Sequence, residues 1–224
     1  MNNRTQSISR PRGESLIATH TVLRNTYLLL SLTLLFSAAT AVFAMVTNAQ
    51  PMGFLLSLVG MFGLLFLTMA LRNSPWGLVS VFAFTGFIGY MLGPMLNLYI
   101  QQFSNGGTLI ALALGTTGVA FLGLSAIALT TKKDFSTMGK FLFIGLLVVI
   151  VASIANIFFK VPAVYLAISS ATVFIACGLI LYDTSRIIHN GETNYIMATI
   201  SLYLDLYLLF VNLLNLFAAF SGRD

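Results

Sequence analysis

Seven long apolar stretches, separated by short polar segments, account for almost the whole chain. Each stretch has about the 20 residues that an α-helix needs to cross the hydrocarbon core of a bilayer. The connecting segments carry Asn, Gly, Pro and Ser, which are typical of turns. The pattern therefore predicts an all-α integral membrane protein, with seven transmembrane helices at residues 25–46, 52–71, 76–100, 108–130, 138–159, 163–188 and 194–220.

The composition agrees with this prediction. The chain is 58% hydrophobic and 8% charged, whereas soluble domains are about 45–50% apolar and about 25% charged. We expect two parts: residues 1–24 as a disordered cytoplasmic tail, and residues 25–224 as one seven-helix transmembrane domain. His20, His189 and Cys177 have no partners at metal-ligand spacing, so we assign neither a firm metal site nor a cofactor.

The basic residues indicate the orientation. If the N-terminus is cytoplasmic, nine of the 11 basic residues lie on the cytoplasmic side and only Lys160 and Arg223 lie outside. The positive-inside rule therefore predicts a cytoplasmic N-terminus and a periplasmic C-terminus in a bacterial inner membrane. Because the positive charge of +5 is distributed over loops, it reports topology and does not indicate nucleic-acid binding.

Two acidic residues, Asp183 and Asp205, fall inside apolar spans. A charged side chain at the bilayer centre costs about 2.5–3.5 kcal/mol, so such residues are functional candidates by default. They lie on the sixth and seventh helices, which a tight turn around Gly191 joins into a hairpin. At 1.5 Å per residue they lie about 12 and about 21 Å from that turn, and unwinding beyond Gly191 would shorten the second distance. Two adjacent carboxylates cannot easily both be ionised there, so we expect the pair to titrate as one unit.

Polar residues form a stripe along the seventh helix. At 100° per residue, Asp205 shares one face with Asn194, Ser201, Asn212 and Asn215. Polar groups at membrane depth face protein or water, so this helix should lie at the centre of the bundle. Arg186, three residues after Asp183, and Arg72, at the cytoplasmic end of the second helix, are candidate counter-charges for ion gating; either could instead be an interfacial anchor. The spacing of Gly89 and Gly93 predicts a close helix contact, and we expect Gly115, Gly118 and Gly123 to serve packing as well.

Several segments resemble the Bax inhibitor-1 (transmembrane BAX inhibitor motif) family, from about His20 to Asp224. They are residues 22–27 (VLRNTY), 82–87 (FAFTGF), 128–134 (ALTTKKD), 155–158 (ANIF) and 187–195 (IIHNGETNY). The resemblance implies a seven-helix fold with the last helix central. In calcium-leak members of the family, aspartates matching Asp183 and Asp205 form a pH-sensing pair, and an arginine matching Arg72 acts as a latch.

The resemblance implies a non-enzymatic regulator that binds and inhibits the FtsH membrane protease. HflK and HflC, the partners of FtsH, would belong to the same complex. The alternative is a pH-gated Ca²⁺ leak, in which Asp183 and Asp205 sense H⁺ and bind Ca²⁺ transiently. A purely structural polar clamp stays open as a third interpretation. An intramembrane aspartyl protease is disfavoured, because Leu202, Tyr203 and Leu204 leave no small residues beside Asp205 for substrate backbone to approach.

Overall fold

The computed structural model describes residues 12–131, 133–189 and 191–222, with side chains from residue 20 onward. The described residues form seven long α-helices and one short 3-10 helix and contain no strand. The helices are α1 (Arg12–Val46), α2 (Phe54–Leu71), α3 (Trp76–Gln102), α4 (Gly106–Thr130), α5 (Gly139–Phe159), α6 (Pro162–Ile188) and α7 (Tyr195–Ser221), and the 3-10 helix is Phe135–Met138. Seven helices are long and apolar enough to cross a membrane, as predicted.

The predicted spans agree closely with the observed helices, except at the start of the first. α1 begins at Arg12, although its membrane-compatible part runs from His20 to Val46. The tail predicted to be disordered, residues 1–24, is therefore helical from Arg12 onward, and residues 1–11 lie outside the described residues. Pro162 opens α6 at its first turn, where the missing N–H of proline costs nothing.

α7 lies at the centre of the bundle, in agreement with the polar stripe. It packs against α1, α3, α4 and α6 and is the most buried of the described membrane-compatible helices. α2 packs chiefly on α3, and α5 chiefly on α6. These two outer helices bury little of their surface, and α5 presents bulky side chains such as Phe141, Phe143 and Phe158 outward. Such a surface suits contact with lipid.

Close packing of α1 on α3 confirms the predicted contact at Gly89 and Gly93. A Cβ at Gly89 would lie 2.7 Å from Ser37 Oγ, and one at Gly93 would lie 2.7 Å from the Ala41 carbonyl oxygen. Only glycine lets the two backbones approach this closely. The same expectation was wrong for Gly115, Gly118 and Gly123 on α4, where an added Cβ would meet no atom of the described residues within 4 Å.

Candidate functional site: the buried aspartate pair

Asp183 and Asp205 come together at the end of the bundle that carries the α6–α7 turn. Residues 189–194 lie outside both helices, so Asp183 is about 8 Å before the end of α6 and Asp205 about 15 Å after the start of α7, at 1.5 Å per residue. Their carboxyl groups lie within hydrogen-bonding reach of each other. Asp183 is 9% exposed and Asp205 is 5% exposed. The predicted approach of the two carboxylates is therefore present in the fold.

Contact between these two buried carboxyl groups is favourable only if they are not both ionised. Two ionised carboxylates repel each other strongly when water is excluded, whereas a single proton between them makes a hydrogen bond. Asp205 Oδ2 is buried and accepts no hydrogen bond from a donor in the described residues, so a shared proton is one way to satisfy it. Uptake and release of protons by the pair as a unit stays a prediction.

Arg186 is the cation of this site. Its Nη1 lies 3.3 Å from Asp183 Oδ1, and its Nη2 lies 3.5 Å from Glu192 Oε2. The guanidinium also lies over the Tyr182 ring, 5.4 Å from the ring centroid, in cation–π geometry. Gly139 lets α5 approach here, because a Cβ at Gly139 would overlap the Tyr182 ring. Arg186 is thus held in place from three sides and joins the buried pair to the α6–α7 turn.

Glu192 is a member of the site that the sequence did not predict. Besides pairing with Arg186, it accepts a hydrogen bond from the Asn194 backbone N–H through Oε1, at 2.9 Å. The backbone N–H groups of Gly191 and Glu192 both donate to the Arg186 carbonyl oxygen, at 2.8 and 3.2 Å. The turn and the arginine therefore stabilise each other. The sequence feature that could have indicated this pairing is an acidic residue in the turn, six residues after Arg186.

Arg72 does not reach the aspartate pair. Its side chain is exposed, and no carboxylate of the described residues lies within ion-pair distance of it. Arg72 is therefore not a counter-charge for the aspartates in this structure. Arg72 meets α7 through its backbone instead: its carbonyl oxygen accepts a hydrogen bond from Asn194 Nδ2 at 3.0 Å. The end of α2 is thereby tied to the start of α7.

The other residues of the polar stripe have separate structural roles. Asn194 caps α7, since its Oδ1 accepts hydrogen bonds from the N–H groups of Ile196 and Met197. Asn212 donates to the Leu208 carbonyl oxygen one turn back, at 2.8 Å. Asn215 accepts from the Tyr99 hydroxyl on α3, and Ser201 is partly exposed. Asp205 and Asn215 are buried, whereas Asn194, Ser201 and Asn212 are partly exposed. Of these residues only Asp205 belongs to the carboxylate site.

Two cavities lie toward the other end and the middle of the bundle. One, of about 610 Å³, is lined by apolar side chains together with Tyr99, Gln102, Tyr165 and Asn215. The other, of about 480 Å³, is mostly apolar and lies between α1, α3, α4 and α7. Neither cavity is lined by Asp183 or Asp205. In this conformation neither carboxyl group therefore borders either of these cavities.

A second polar cluster, also missed by the sequence, lies at the turn end of α6. Ser185 Oγ donates to Asp134 Oδ1 at 3.2 Å and lies 3.2 Å from His189 Nδ1, which is 3.7 Å from Asp134 Oδ1. Hydrogen bonds from Ser136, first from its side chain and then from its backbone, lower the pKa of Asp134, and Ser185 and His189 lower it further. This cluster fixes the segment between α4 and α5 against α6.

The site contains few metal ligands. Within residues 12–131, 133–189 and 191–222, no three His, Cys, Asp or Glu side chains converge in a way that could hold a metal ion. The aspartate pair offers oxygen atoms of the kind that Ca²⁺ prefers, but Ca²⁺ sites usually supply six to eight oxygens. Transient Ca²⁺ binding at Asp183 and Asp205 therefore stays a prediction.

Comparison with known proteins agrees with the family resemblance. The chain is 53% identical over 210 residues, 94% of both chains, to the Modulator of FtsH protease YccA of Escherichia coli K12. It has the same identity and coverage to the Inner membrane protein YccA of a second E. coli strain, O6:H1. It is 47% identical to an uncharacterized membrane protein of Vibrio cholerae, covering 100% of this chain and 98% of that one. The model of the family described as "Inhibitor of apoptosis-promoting Bax1" matches residues 19–222, and the chain therefore belongs to this family, the Bax inhibitor-1 family, with YccA among its relatives.

Proposed function

We propose that this protein is a multi-pass inner-membrane regulator that binds an FtsH-type membrane protease and slows its degradation of substrates. The observation that carries the proposal is the 53% identity, over 94% of both chains, to a protein named as a modulator of FtsH. The matched region includes nearly all of the membrane domain, so the surfaces of the two bundles have a common origin. The seven membrane-compatible helices agree with such a location.

The geometry of the aspartate pair supports a regulator more than an enzyme. Leu202 and Tyr203, on the helical turn before Asp205, are almost fully buried, at 0% and 2% exposure. A peptide substrate would have to displace this packing to reach the carboxyl groups. The relatives reported above are named as modulator or membrane proteins and not as enzymes. We therefore assign no catalytic residue.

Contact with the protease would use the cytoplasmic side in our proposal. The positive-inside rule favours a cytoplasmic N-terminus, which places the basic residues Arg4, Arg10 and Arg12 on that side. A polar segment at the N-terminus is the kind of element that a cytoplasmic ATPase can grip. HflK and HflC, as partners of FtsH, would belong to the same assembly.

The proposal is tested by pull-down and by substrate turnover in cells. The tagged protein should retain FtsH after detergent extraction, and its overexpression should lengthen the half-life of a membrane substrate of FtsH. A variant lacking residues 2–11 separates engagement of the protease from insertion into the membrane. If FtsH grips the tail, this variant should still insert but should no longer engage FtsH. Absence of FtsH from the pull-down together with unchanged substrate half-life would reject the proposal.

A pH-gated Ca²⁺ leak is the second candidate function. The contact between Asp183 and Asp205, with Arg186 beside them, is the observation in its favour. We rank it second because neither cavity is lined by the pair and because the named relatives are not described as channels. Ca²⁺ flux into proteoliposomes should change its pH dependence in Asp183→Asn and Asp205→Asn but not in Asp134→Asn, whose carboxylate lies outside the spans. Identical pH profiles in all four proteins would exclude a gating role.

A further inference from the structure

The larger of the two cavities lies at the end of the bundle opposite the α6–α7 turn, away from the aspartate pair. Its walls come from the C-terminal parts of α3 and α7 and from the first turn of α6. α3 and α6 both pack against α7 but have little contact with each other, so the cavity occupies the gap between them. We call it the far-end cavity and define it by Tyr99, Gln102, Tyr165 and Asn215.

Burial increases from the rim of the far-end cavity to its floor. Leu98 and Tyr165 on the rim are 48% and 45% exposed, whereas Asn215 and Ala218 on the floor are 9% and 5% exposed. The cavity is therefore open on one side and closed on the other by α7. Its volume of about 610 Å³ falls in the range of about 300–1,000 Å³ that is typical of sites for small molecules.

The far-end cavity lies at the boundary between lipid tails and lipid headgroups. α3, α6 and α7 have 27 residues each, so each is about 40 Å long, about 10 Å longer than the hydrocarbon core of a bilayer. In a bundle centred on the bilayer, about 5 Å of each helix end therefore lies in the interfacial layer. Tyr99 and Tyr165 lie about 5 Å from the ends of their helices, and Asn215 lies about 9 Å from the end of α7. The ester carbonyls of phospholipids lie at this depth.

A buried amide supplies the hydrogen-bonding chemistry of the cavity. Asn215 Oδ1 accepts a hydrogen bond from the Tyr99 hydroxyl, which fixes the orientation of the amide. The Asn215 Nδ2 atom has no acceptor among the described residues and is still accessible. Because Asn215 lines the cavity, the N–H groups of Nδ2 are available to an acceptor that is bound there.

The rest of the lining favours an uncharged ligand. None of the described lining residues is charged, so neither a phosphate nor an ammonium group would find a counter-charge in the cavity. The Tyr165 hydroxyl and the Gln102 amide are further donors. The stacked rings of Tyr99 and Phe103, with centroids 5.9 Å apart, form a flat apolar wall. Hydrogen-bond donors on an uncharged, largely apolar wall suit a carbonyl group that is attached to an apolar body.

We propose that the far-end cavity binds the uncharged carbonyl group of a membrane amphiphile, with Asn215 Nδ2 as the main donor. Two kinds of amphiphile carry this chemistry, a phospholipid through its ester and a membrane quinone through its ring carbonyl. In either case the apolar part of the ligand lies against Met95 and Val211, the deepest lining residues on α3 and α7. This inference does not depend on the proposed link to a protease.

Native mass spectrometry of the intact protein tests the hydrogen bond to the carbonyl group. The probes are two phosphatidylglycerols with the same headgroup and chain length, one with ester and one with ether linkages. The ether lipid lacks the carbonyl acceptor. We expect the wild type to retain the ester lipid about fivefold more strongly than the ether lipid, as the loss of one hydrogen bond predicts. In Asn215→Leu this preference should disappear.

Matched variants separate the cavity from the rest of the surface. Asn212→Leu makes the same change one turn away on α7, where the amide donates to its own helix and lines neither cavity; it should keep the preference. Ala219→Phe fills the far-end cavity while Asn215 stays in place, and it should also abolish the preference. Ala167→Phe, at an exposed position of α6 that lines neither cavity, should behave like the wild type.

A short-tailed quinone distinguishes the two sources of the carbonyl group. Quinone binding to the wild type but not to Ala219→Phe would assign the site to quinones. An ester preference without any quinone binding would assign it to phospholipids. Equal retention of the ester and ether lipids by the wild type, together with no bound quinone, would overturn the proposal. An ester preference that persists in both Asn215→Leu and Ala219→Phe would overturn it as well.

Discussion

Replacing Gly89 by alanine tests the close packing that holds α1 against α3. The added Cβ would overlap the Ser37 carbonyl oxygen and lie 2.7 Å from Ser37 Oγ. Since the first obstacle is backbone, rotation of a side chain cannot relieve it, and the two helices must separate. Ser37 Oγ also shares a 2.7 Å hydrogen bond with the Tyr203 hydroxyl of α7, so the displacement reaches the central helix.

The size of the effect follows from three contributions. Overpacking a well-packed interior costs about 1–3 kcal/mol, and weakening the Ser37–Tyr203 hydrogen bond costs about 1 kcal/mol more. The higher helix propensity of alanine over glycine offsets this by stabilising the helix by about 1 kcal/mol. We therefore expect Gly89→Ala to lower the free energy of unfolding by about 1–3 kcal/mol.

Gly115→Ala is the matched control, because it makes the same change on α4 where an added Cβ meets no described atom within 4 Å. It should be neutral or stabilise the protein by up to about 1 kcal/mol. Both variants are measured by reversible denaturation in lipid bicelles, with tyrosine and tryptophan fluorescence as the signal. Equal stabilities for Gly89→Ala and Gly115→Ala would refute the argument that Gly89 is required by the α1–α3 contact.

Three further predictions concern the turn end of the bundle. Arg186→Gln leaves Asp183 without its cation and should lower the free energy of unfolding by about 1–3 kcal/mol. Glu192→Gln changes the more exposed ion pair and should lower it by at most about 1 kcal/mol. Thermal unfolding distinguishes the two variants, and a larger loss for Glu192→Gln would contradict the assignment of Arg186 as the cation of Asp183. Asn194→Ala removes the cap of α7 and should cost about 0.5–2 kcal/mol, seen as faster hydrogen exchange in the first turn of α7; unchanged exchange would argue against the cap. Because the pKa of Asp134 is lowered, its contribution to stability is present above the ordinary carboxyl pKa of about 3.9 and is lost as the pH falls through the lower folded value. Asp134→Asn should therefore be less stable than the wild type at neutral pH but not in strong acid, and a difference that persists in acid would contradict this.

The parts of the fold that the sequence predicts are those on which hydropathy and local spacing act directly. Seven apolar stretches predict seven helices, and a short turn between two of them predicts a hairpin that brings Asp183 near Asp205. The central position of α7 follows from polar groups that cannot face lipid. These inferences need only the length and composition of each helix and the period of its polar positions.

The missed features depend on the rotation of helices and on loop geometry. α2 and α4 are apolar on nearly every face, so their sequences do not show which side meets the bundle. Arg72 consequently lies exposed, and a Cβ added at Gly115, Gly118 or Gly123 would meet no atom of the described residues within 4 Å. Glu192 reaches Arg186 only because the turn folds back over the end of α6, and Asp134 reaches Ser185 only because the α4–α5 segment does the same. Such contacts link residues through loop conformation, which periodicity does not report.

Reconstitution with purified FtsH can test whether this protein restrains an FtsH-type protease, as we propose. Purified FtsH is placed in liposomes with a membrane substrate and ATP, and the rate of substrate loss is followed as the amount of this protein increases. We expect the degradation rate to fall and then to saturate, and ATP hydrolysis serves as the control for intact FtsH. A degradation rate that does not change, while this protein is folded and present in the same liposomes, would contradict the proposal.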